Sequence, residues 1–259
     1  LLQSLLGILS GDSLSRQRSA SPHPQQALNI LVLEDNRINQ RVAQLQLEKL
    51  GCKVTLRDRG EAVLHEPLDE YDLIFMDCQM PGMDGYEATR KIREMQKSRN
   101  DSQKAYVVAM TANTREEDRQ ACLDAGMDDF ISKPVQISEL QRIIHEAFDD
   151  LEFTGEPAVF SSLPKETLRE ILPMFLEQAR EHINVLQEKA SSSDFETIRQ
   201  TAHQLKGTSA NLGARALAEL CGQIEDAARH ESGICKDLIP SLPNQLDVAE
   251  THLQRLADG

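Results

Sequence analysis

Five polar residues stand just past short apolar runs in the first half of this 259-residue chain. Glu34 and Asp35 follow Ile30–Leu33, Asp77 follows Leu73–Met76, Thr111 follows Val107–Met110, and Lys133 comes after Phe130–Ile131. If these runs are strands of one open parallel sheet, their carboxyl ends face the crevice where such sheets bind ligands. Three carboxylates, one hydroxyl and one ammonium then converge on one edge. Carboxylates this close repel one another unless a cation holds them, and all-oxygen ligands suit a hard cation, Mg²⁺ first. Such an ion neutralises phosphoryl oxygens during transfer. Asp77 is then a candidate carboxylate nucleophile that forms an aspartyl-phosphate, with Lys133 and Thr111 supplying a positive charge and a donor to the phosphoryl oxygens. The competing reading, that acidic residues at strand ends merely cap helices, suits Asp35 taken alone but not five positions together.

A second candidate lies far along the chain. A helix is expected from a capping box at Ser193-Asp194-Phe195-Glu196, with Ile198, Ala202, Leu205 and Leu212 forming one apolar stripe. At about 100° per residue, His203 lies roughly 140° from the centre of that stripe, so it is expected to point to solvent. Helical side chains lean toward the N-terminus, so Lys206 and position 207 cover the patch around His203. Position 207 is Gly, which costs about 1 kcal/mol of helix propensity against Ala. That cost makes sense if something bulky must reach the imidazole. Lys206 then places a cation beside a phosphoryl group, for which an exposed imidazole is a competent nucleophile. The alternative is an ordinary surface histidine near a helix-ending glycine. The other six histidines, His23, His65, His145, His182, His230 and His252, take a structural role by default.

The elements that must position these residues follow from periodicity. From Asn29 to about Phe148, five apolar runs (Ile30–Leu33, Val54–Leu56, Leu73–Met76, Val107–Met110, Phe130–Ile131) alternate with amphipathic stretches. In the first stretch Ile38, Val42 and Leu45 fall at i, i+4 and i+7, and Gly51 stops the helix. A later one opens with the capping box Thr114-Arg115-Glu116-Glu117 and stops at Gly126. This alternation predicts an α/β doubly wound, five-stranded parallel sheet covered on both faces. After Leu163 the strand-like runs vanish, and an all-α helical bundle of four or five helices is expected, broken at Pro173, Ser191–Ser193, Gly213 and Gly233. Residues 1–27 form an N-terminal segment and linker, 28–149 the first domain, 150–162 a second linker, and 163–259 the second domain. Leu1–Leu9 suits the end of an upstream domain, a partner-docking helix or part of the linker.

Composition bounds the rest. A formal charge of −14 disfavours nucleic acid as a partner. No apolar run approaches the roughly 18 residues of a membrane span, so no direct membrane contact is expected of this fragment. The five cysteines are odd in number and scattered without a CxxC pair, which fits a reducing cytoplasm rather than a disulfide framework or a zinc site. The chain begins with Leu and shows no signal-peptide pattern; it reads as a piece of something longer.

The quoted residues also carry a resemblance. Leu31-Val32-Leu33-Glu34-Asp35-Asn36, Asp77-Cys78-Gln79-Met80-Pro81-Gly82-Met83-Asp84-Gly85, Met110-Thr111-Ala112 and Ser132-Lys133-Pro134, in that order, resemble the flavodoxin-like receiver domain of two-component signalling over about residues 28–149. The resemblance implies that Asp77 is the phosphoacceptor. It also implies that Asp35 and Asp77 bind Mg²⁺, with Glu34 acting mostly through water and the Gln79 carbonyl completing the ligands. Thr111 is implied as the switch hydroxyl, Phe130 as the switch aromatic, and Lys133-Pro134 as a cis peptide. Glu34 stands where many members carry Asp, a variant that keeps the pocket acidic. Thr201-Ala202-His203-Gln204-Leu205-Lys206-Gly207, then Asn211-Leu212-Gly213-Ala214, with Cys221 and Glu225 following, resemble a histidine-containing phosphotransfer domain over about residues 160–259. That implies His203 as the phosphorylated residue, supported by Lys206 and Gly207.

Together the two resemble the C-terminal half of a hybrid sensor histidine kinase. The implied function is a phosphorelay from an upstream kinase histidine to Asp77, to His203, and on to the aspartate of a separate response regulator. The implied location is cytoplasmic, with a parent protein anchored in the inner membrane. No Gly-rich ATP lid and no His-bearing dimerisation helix is visible, so phosphotransfer without ATP hydrolysis is expected. Two rivals remain: an aspartate-nucleophile phosphatase, disfavoured because position 79 is Gln where a second Asp is usual, and a non-catalytic interaction scaffold. A linker of about 13 residues has a mean span near 20 Å as a flexible coil. From that tether, a small weak interface with Asp77 and His203 apart at rest is expected.

Overall fold

The computed structural model describes residues 27–98, 105–111, 116–148, 165–192 and 194–258. The apolar runs form five strands, β1 (Asn29–Leu33), β2 (Lys53–Arg57), β3 (Leu73–Asp77), β4 (Tyr106–Thr111) and β5 (Asp129–Ser132). They make one parallel sheet in the order β2-β1-β3-β4-β5. The three central strands are buried almost throughout, as continuous apolar runs require when helices cover both faces. Ile30, Val32, Phe75 and Val108 pack under α1 (Arg37–Lys49) and α4 (Ile137–Ala147), while Leu31, Leu33, Ile74 and Met76 face α2 (Gly85–Ser98) and α3 (Glu116–Ala125). Gly51 and Gly126 take positive φ, at 80° and 94°, just past α1 and α3, a backbone region that glycine enters without a Cβ penalty. Thr114 and Arg115 of the expected α3 capping box lie outside the described residues.

Register decides where the strands end. Leu33 pairs with Met76, Asp77 with Met110, and Thr111 with Ser132. Residues 34, 77, 111 and 133 therefore come out along one sheet edge, the convergence that the spacing of the apolar runs predicts.

The second half is helical: α5 (Lys165–Ser192), α6 (Phe195–Asn211), α7 (Arg215–Arg229), the short α8 (Ile234–Leu238) and α9 (Leu242–Asp258). Pro173 does not break the bundle; it lies inside the 28-residue α5. Proline removes the N–H that would bond the carbonyl four residues back. Here both Pro173 and Arg169 are exposed, so water can serve that carbonyl. The buried series Leu168, Ile171, Leu172, Phe175, Leu176 and Ala179 runs past Pro173 on the other side and holds the helix in place. The α6 cap also differs from expectation. It is Asp194, whose carboxylate accepts from the Thr197 backbone N–H at 3.2 Å and the Thr197 hydroxyl at 2.8 Å. Ser193, residues 1–26 of the expected N-terminal segment and linker, and the expected second linker, 150–162, lie outside the described residues.

α1 has two working faces. Ala43, Leu47 and Leu50 pack on the sheet, whereas Ile38 and Val42, each 2% exposed, join the core of the helical bundle. Two of the three residues in the stripe that identified this helix, Ile38 and Val42, thus face the other domain, and the halves of the molecule are packed together. Among the described residues no helix is long and apolar enough to cross a membrane.

Candidate phosphotransfer site

The acidic trio assembles at the sheet edge. Carboxylate oxygens of Glu34, Asp35 and Asp77 all lie within 4.8 Å of one another. Lys133 reaches in from beyond β5, its Nζ donating to Glu34 Oε2 at 2.6 Å and lying 2.7 Å from Asp77 Oδ2; the Lys133–Pro134 bond is cis. Glu34 is further held at Oε1 by Asn39 Nδ2 at 2.9 Å, and Asp77 Oδ1 accepts from the Gln79 N–H at 3.1 Å. Burial, then the charge of Glu34, raises the Asp77 carboxyl to about 7, against the lowering pull of Lys133. Burial and Glu34 likewise raise Asp35. Burial alone would lower Lys133, but the carboxylates of Glu34 and Asp77 hold its ammonium well above its ordinary range. One cation among three carboxylates, two of them buried and Asp35 half-buried, leaves the pocket short of positive charge. A donor set of carboxylates with the nearby Gln79 carbonyl fits a hard divalent ion.

Thr111 ends β4, and its carbonyl accepts from the Lys133 N–H at 2.7 Å. Phe130, on β5, is half-buried, with the Arg119 guanidinium 5.2 Å from its ring centroid. Both lie where the strand register put them, Thr111 at the edge and Phe130 three residues before Lys133.

His203 projects from α6, but not into open solvent as the helix geometry alone suggested. Its side chain is 16% exposed because the receiving face of the sheet domain covers it. His203, Gln204, Lys206, Gly207 and Ala210 close a cleft of about 50 Å³ against Glu34, Asp35, Asp77, Gln79 and Lys133. The small, weak interface expected from the tether is therefore not what the structure shows; the two domains meet across a packed seam, with Asp77 and His203 lining one cleft. A flexible coil sets only how far the domains can part. Contact is specified by complementary side chains.

Those side chains form a polar seam beside the cleft. Asn36 caps α1 with its Oδ1, accepting from the Ile38 and Asn39 N–H groups at 2.9 and 3.2 Å. Its Nδ2 reaches across to Gln178 Oε1 at 2.9 Å and Thr208 Oγ1 at 3.0 Å. Asn211 donates to Asn39 Oδ1 at 2.8 Å, and Gln204 to Asp35 Oδ2 at 3.2 Å. At the margin, Arg41 forks onto Glu170 through Nε at 3.0 Å and Nη2 at 3.1 Å.

Behind His203 lies Glu225 of α7, 3% exposed. Its Oε1 is 3.0 Å from His203 Nδ1 and 3.4 Å from Arg229, and its Oε2 accepts from Lys206 Nζ at 3.1 Å. Burial works against its charge, yet the hydrogen bond and charge of His203 and the ammonium of Lys206 hold the Glu225 carboxyl down to about 2. An ionised carboxylate only accepts, so in the neutral imidazole of His203 the proton sits on Nδ1 and the lone pair on Nε2. Lys206 lines the cleft but spends its ammonium on Glu225 rather than standing free for a phosphoryl group. At Gly207 a Cβ would meet nothing within 4 Å, so this glycine faces space and not a packed neighbour.

Sequence reasoning missed the seam and the role of Glu225. A signal for the seam was present: Gln204, Gly207, Thr208 and Asn211 fall at i, i+3, i+4 and i+7, a second stripe on α6 that is polar, small and uncharged.

Residues 30–145 match the family described as response regulator receiver domain, and residues 170–258 match the Hpt domain family. The chain is 39% identical over 145 residues to hybrid signal transduction histidine kinase K of Dictyostelium discoideum, covering 53% of this chain and 12% of that protein. It is 32% identical over 224 residues to the aerobic respiration control sensor protein ArcB of Escherichia coli (strain K12), covering 78% of this chain and 28% of that one. Among solved structures it is similar to the receiver domain of sensor histidine kinase PA1611 from Pseudomonas aeruginosa PAO1, with a magnesium ion coordinated in the active site cleft. That match has 40% identity, covers 48% of this chain and 100% of the other, and has a TM-score of 0.43. The chain thus spans between 12% and 28% of the length of these two curated relatives.

Proposed function

Since the chain joins a response regulator receiver domain to an Hpt domain, we propose that it is the relay module of a hybrid histidine kinase, passing a phosphoryl group from a kinase histidine to Asp77, to His203, and on to an aspartate of a separate response regulator. The carrying observation is that Asp77 and His203 line one cleft. In this reading the receiver occupies residues 28–149, a linker 150–162 and the phosphotransfer domain 163–259.

The chemistry follows from the residues. In the first step a carboxylate oxygen of Asp77 attacks phosphorus, the P–N bond of the donor phosphohistidine breaks, and its electron pair returns to the donor imidazole. In the second, His203 Nε2 attacks, the P–N bond forms, and the P–O bond breaks with its pair left on the Asp77 carboxylate. The imidazole carries positive charge as the P–N bond forms, and the Glu225 carboxylate on Nδ1 stabilises it. Lys133 holds the Asp77 oxygen in place and meets the phosphoryl charge, and the Thr111 hydroxyl donates to a phosphoryl oxygen. Phe130 follows that hydroxyl as the switch aromatic. Gly207 leaves room for the incoming group. Asp35, Asp77 and the Gln79 carbonyl, with Glu34 mostly through water, would hold a Mg²⁺ ion, which would supply neutralising charge to the phosphoryl oxygens.

Labelling the chain with a radioactive acyl phosphate tests this. Label should appear first in an alkali-labile acyl phosphate and then in an acid-labile phosphohistidine. Asp77→Asn should abolish both from this donor, while His203→Gln should stop at the first. Phosphohistidine formed at the wild-type rate in Asp77→Asn would remove Asp77 from the path.

A further inference from the structure

We propose that the Arg41–Glu170 ion pair selects which receiver the His203 face accepts, and that the chain's own receiver, seated there, competes with any external one. The inference rests on the relay reading, since it assumes that this face donates and accepts phosphoryl groups.

The receiver presents one turn-and-a-half of α1 to the bundle. Ile38 and Val42 are buried among the core residues of α5 and α6. Asn36 and Asn39 pair with Gln178, Thr208 and Asn211. These central contacts are apolar or amide-based, so they carry no sign that would reject another receiver with small polar residues there. Arg41 with Glu170 is different. The pair is fork-to-fork, which fixes geometry as well as charge. Its side chains are 34% and 52% exposed, so it lies at the margin. Marginal charges govern encounter rate and rejection of like-charged partners more than final affinity. Glu170 sits two turns before Gln178 on α5, so one α5 face reads both the sign and the amide of the arriving helix.

Competition follows from coverage. Gln204 is bonded to Asp35, and His203 and Gly207 face the cleft that Asp77 closes. No second receiver can use that face until the first one leaves.

Transfer between full-length chains tests both parts. The donor carries His203→Gln and is charged on Asp77 with radioactive acyl phosphate; the acceptor carries Asp77→Asn and offers His203. Adding Arg41→Glu to the acceptor loosens its own receiver, and acceptance from an unmodified donor should rise about three- to tenfold. Adding Glu170→Arg to the acceptor instead should shift donor preference. The rate of an Arg41→Glu donor relative to the Arg41 donor should be several-fold higher on that acceptor than on the Glu170 acceptor, with the difference shrinking at high salt. Label on Asp77 before mixing shows that each donor is folded. The same ratio of donor rates on both acceptors would overturn the selection claim, and unchanged acceptance by the Arg41→Glu acceptor would overturn the competition claim. If no label reached His203 from any donor, the relay reading itself would fall.

Discussion

In the receiver, the single ammonium of Lys133 serves the carboxylates of Glu34 and Asp77, with Asp35 beside them; in the bundle, the single carboxylate of Glu225 serves His203, Lys206 and Arg229. The two sites invert one another's charge. The first is deeply buried, fixed to strand ends and short of positive charge, so it is built to draw in a cation and then a phosphoryl group. The second is carried on helices and neutralised by its own residues, so it can hold or release a phosphoryl group without a metal. In the proposed relay, each acceptor would stabilise the charge that the other lacks.

The strongest way to break this comparison is to remove the lone cation. Lys133→Gln leaves Glu34 and Asp77 buried without a counter-charge. Deleting one partner of a buried ionic group costs about 3–5 kcal/mol, and denaturant unfolding of the chain in a chelator should show that loss. Labelling of Asp77 should also fall steeply. An unchanged unfolding midpoint would mean that the three carboxylates are neutralised in some other way.

Removing the lone anion should cost less, because its cations are partly exposed and can turn to water. Glu225→Gln removes a carboxylate held at about 2 against an ordinary value of 4.5. A carboxyl depressed in the folded state contributes stability that is complete above its unfolded value and is lost as pH falls through the folded one. That contribution is at most about 3 kcal/mol and disappears between about pH 4.5 and pH 2. Acid unfolding of the wild type should steepen across that window, and the variant should show a shallower loss there. His203 should accept at least roughly tenfold more slowly, because its tautomer is no longer fixed. Parallel acid-unfolding curves would separate Glu225 from the stability of the bundle.

Much of this arrangement was legible in the residues. The sheet edge was, because continuous apolar runs in a parallel sheet fix both the strands and the positions just past their ends. Ile38 and Val42 identified a helix but not its partner, since the surface they meet is formed by residues more than a hundred positions away. His203 was rightly placed off the core of its own bundle. One helix cannot reveal that another domain covers it, and linker length says nothing about side chains that match. Pro173 looked like a break because local propensity was weighed without the apolar series that packs α5 on both sides of it.

Access to His203 gives a third test. A Cβ at Gly207 meets nothing within 4 Å inside the bundle, yet this residue lines the cleft against Asp77. Gly207→Leu should therefore hold or raise thermal stability by up to about 1 kcal/mol through helix propensity. Transfer from Asp77 should drop by about tenfold or more as the side chain fills the docking space. Loss of stability without loss of transfer would assign the glycine to packing instead.

The smallest effect is expected at the counterpart of Lys133. Lys206 is one of two cations, with Arg229, that join the His203 imidazole around Glu225, and its side chain is 34% exposed. Replacing it by Gln leaves His203 and Arg229 in place and lets the amide still donate to Glu225. A half-exposed ion pair contributes about 0.2–1 kcal/mol, so the thermal midpoint should shift by no more than that. Acceptance by His203 should slow only about two- to fivefold, the loss of one cation near the arriving phosphoryl group. Set beside Lys133→Gln, this variant measures the inversion directly: the same chemical change should cost several-fold more free energy where one cation serves two buried carboxylates than where two cations and an imidazole serve one. Equal losses at Lys133 and Lys206 would mean that the two acceptor sites are not electrical opposites.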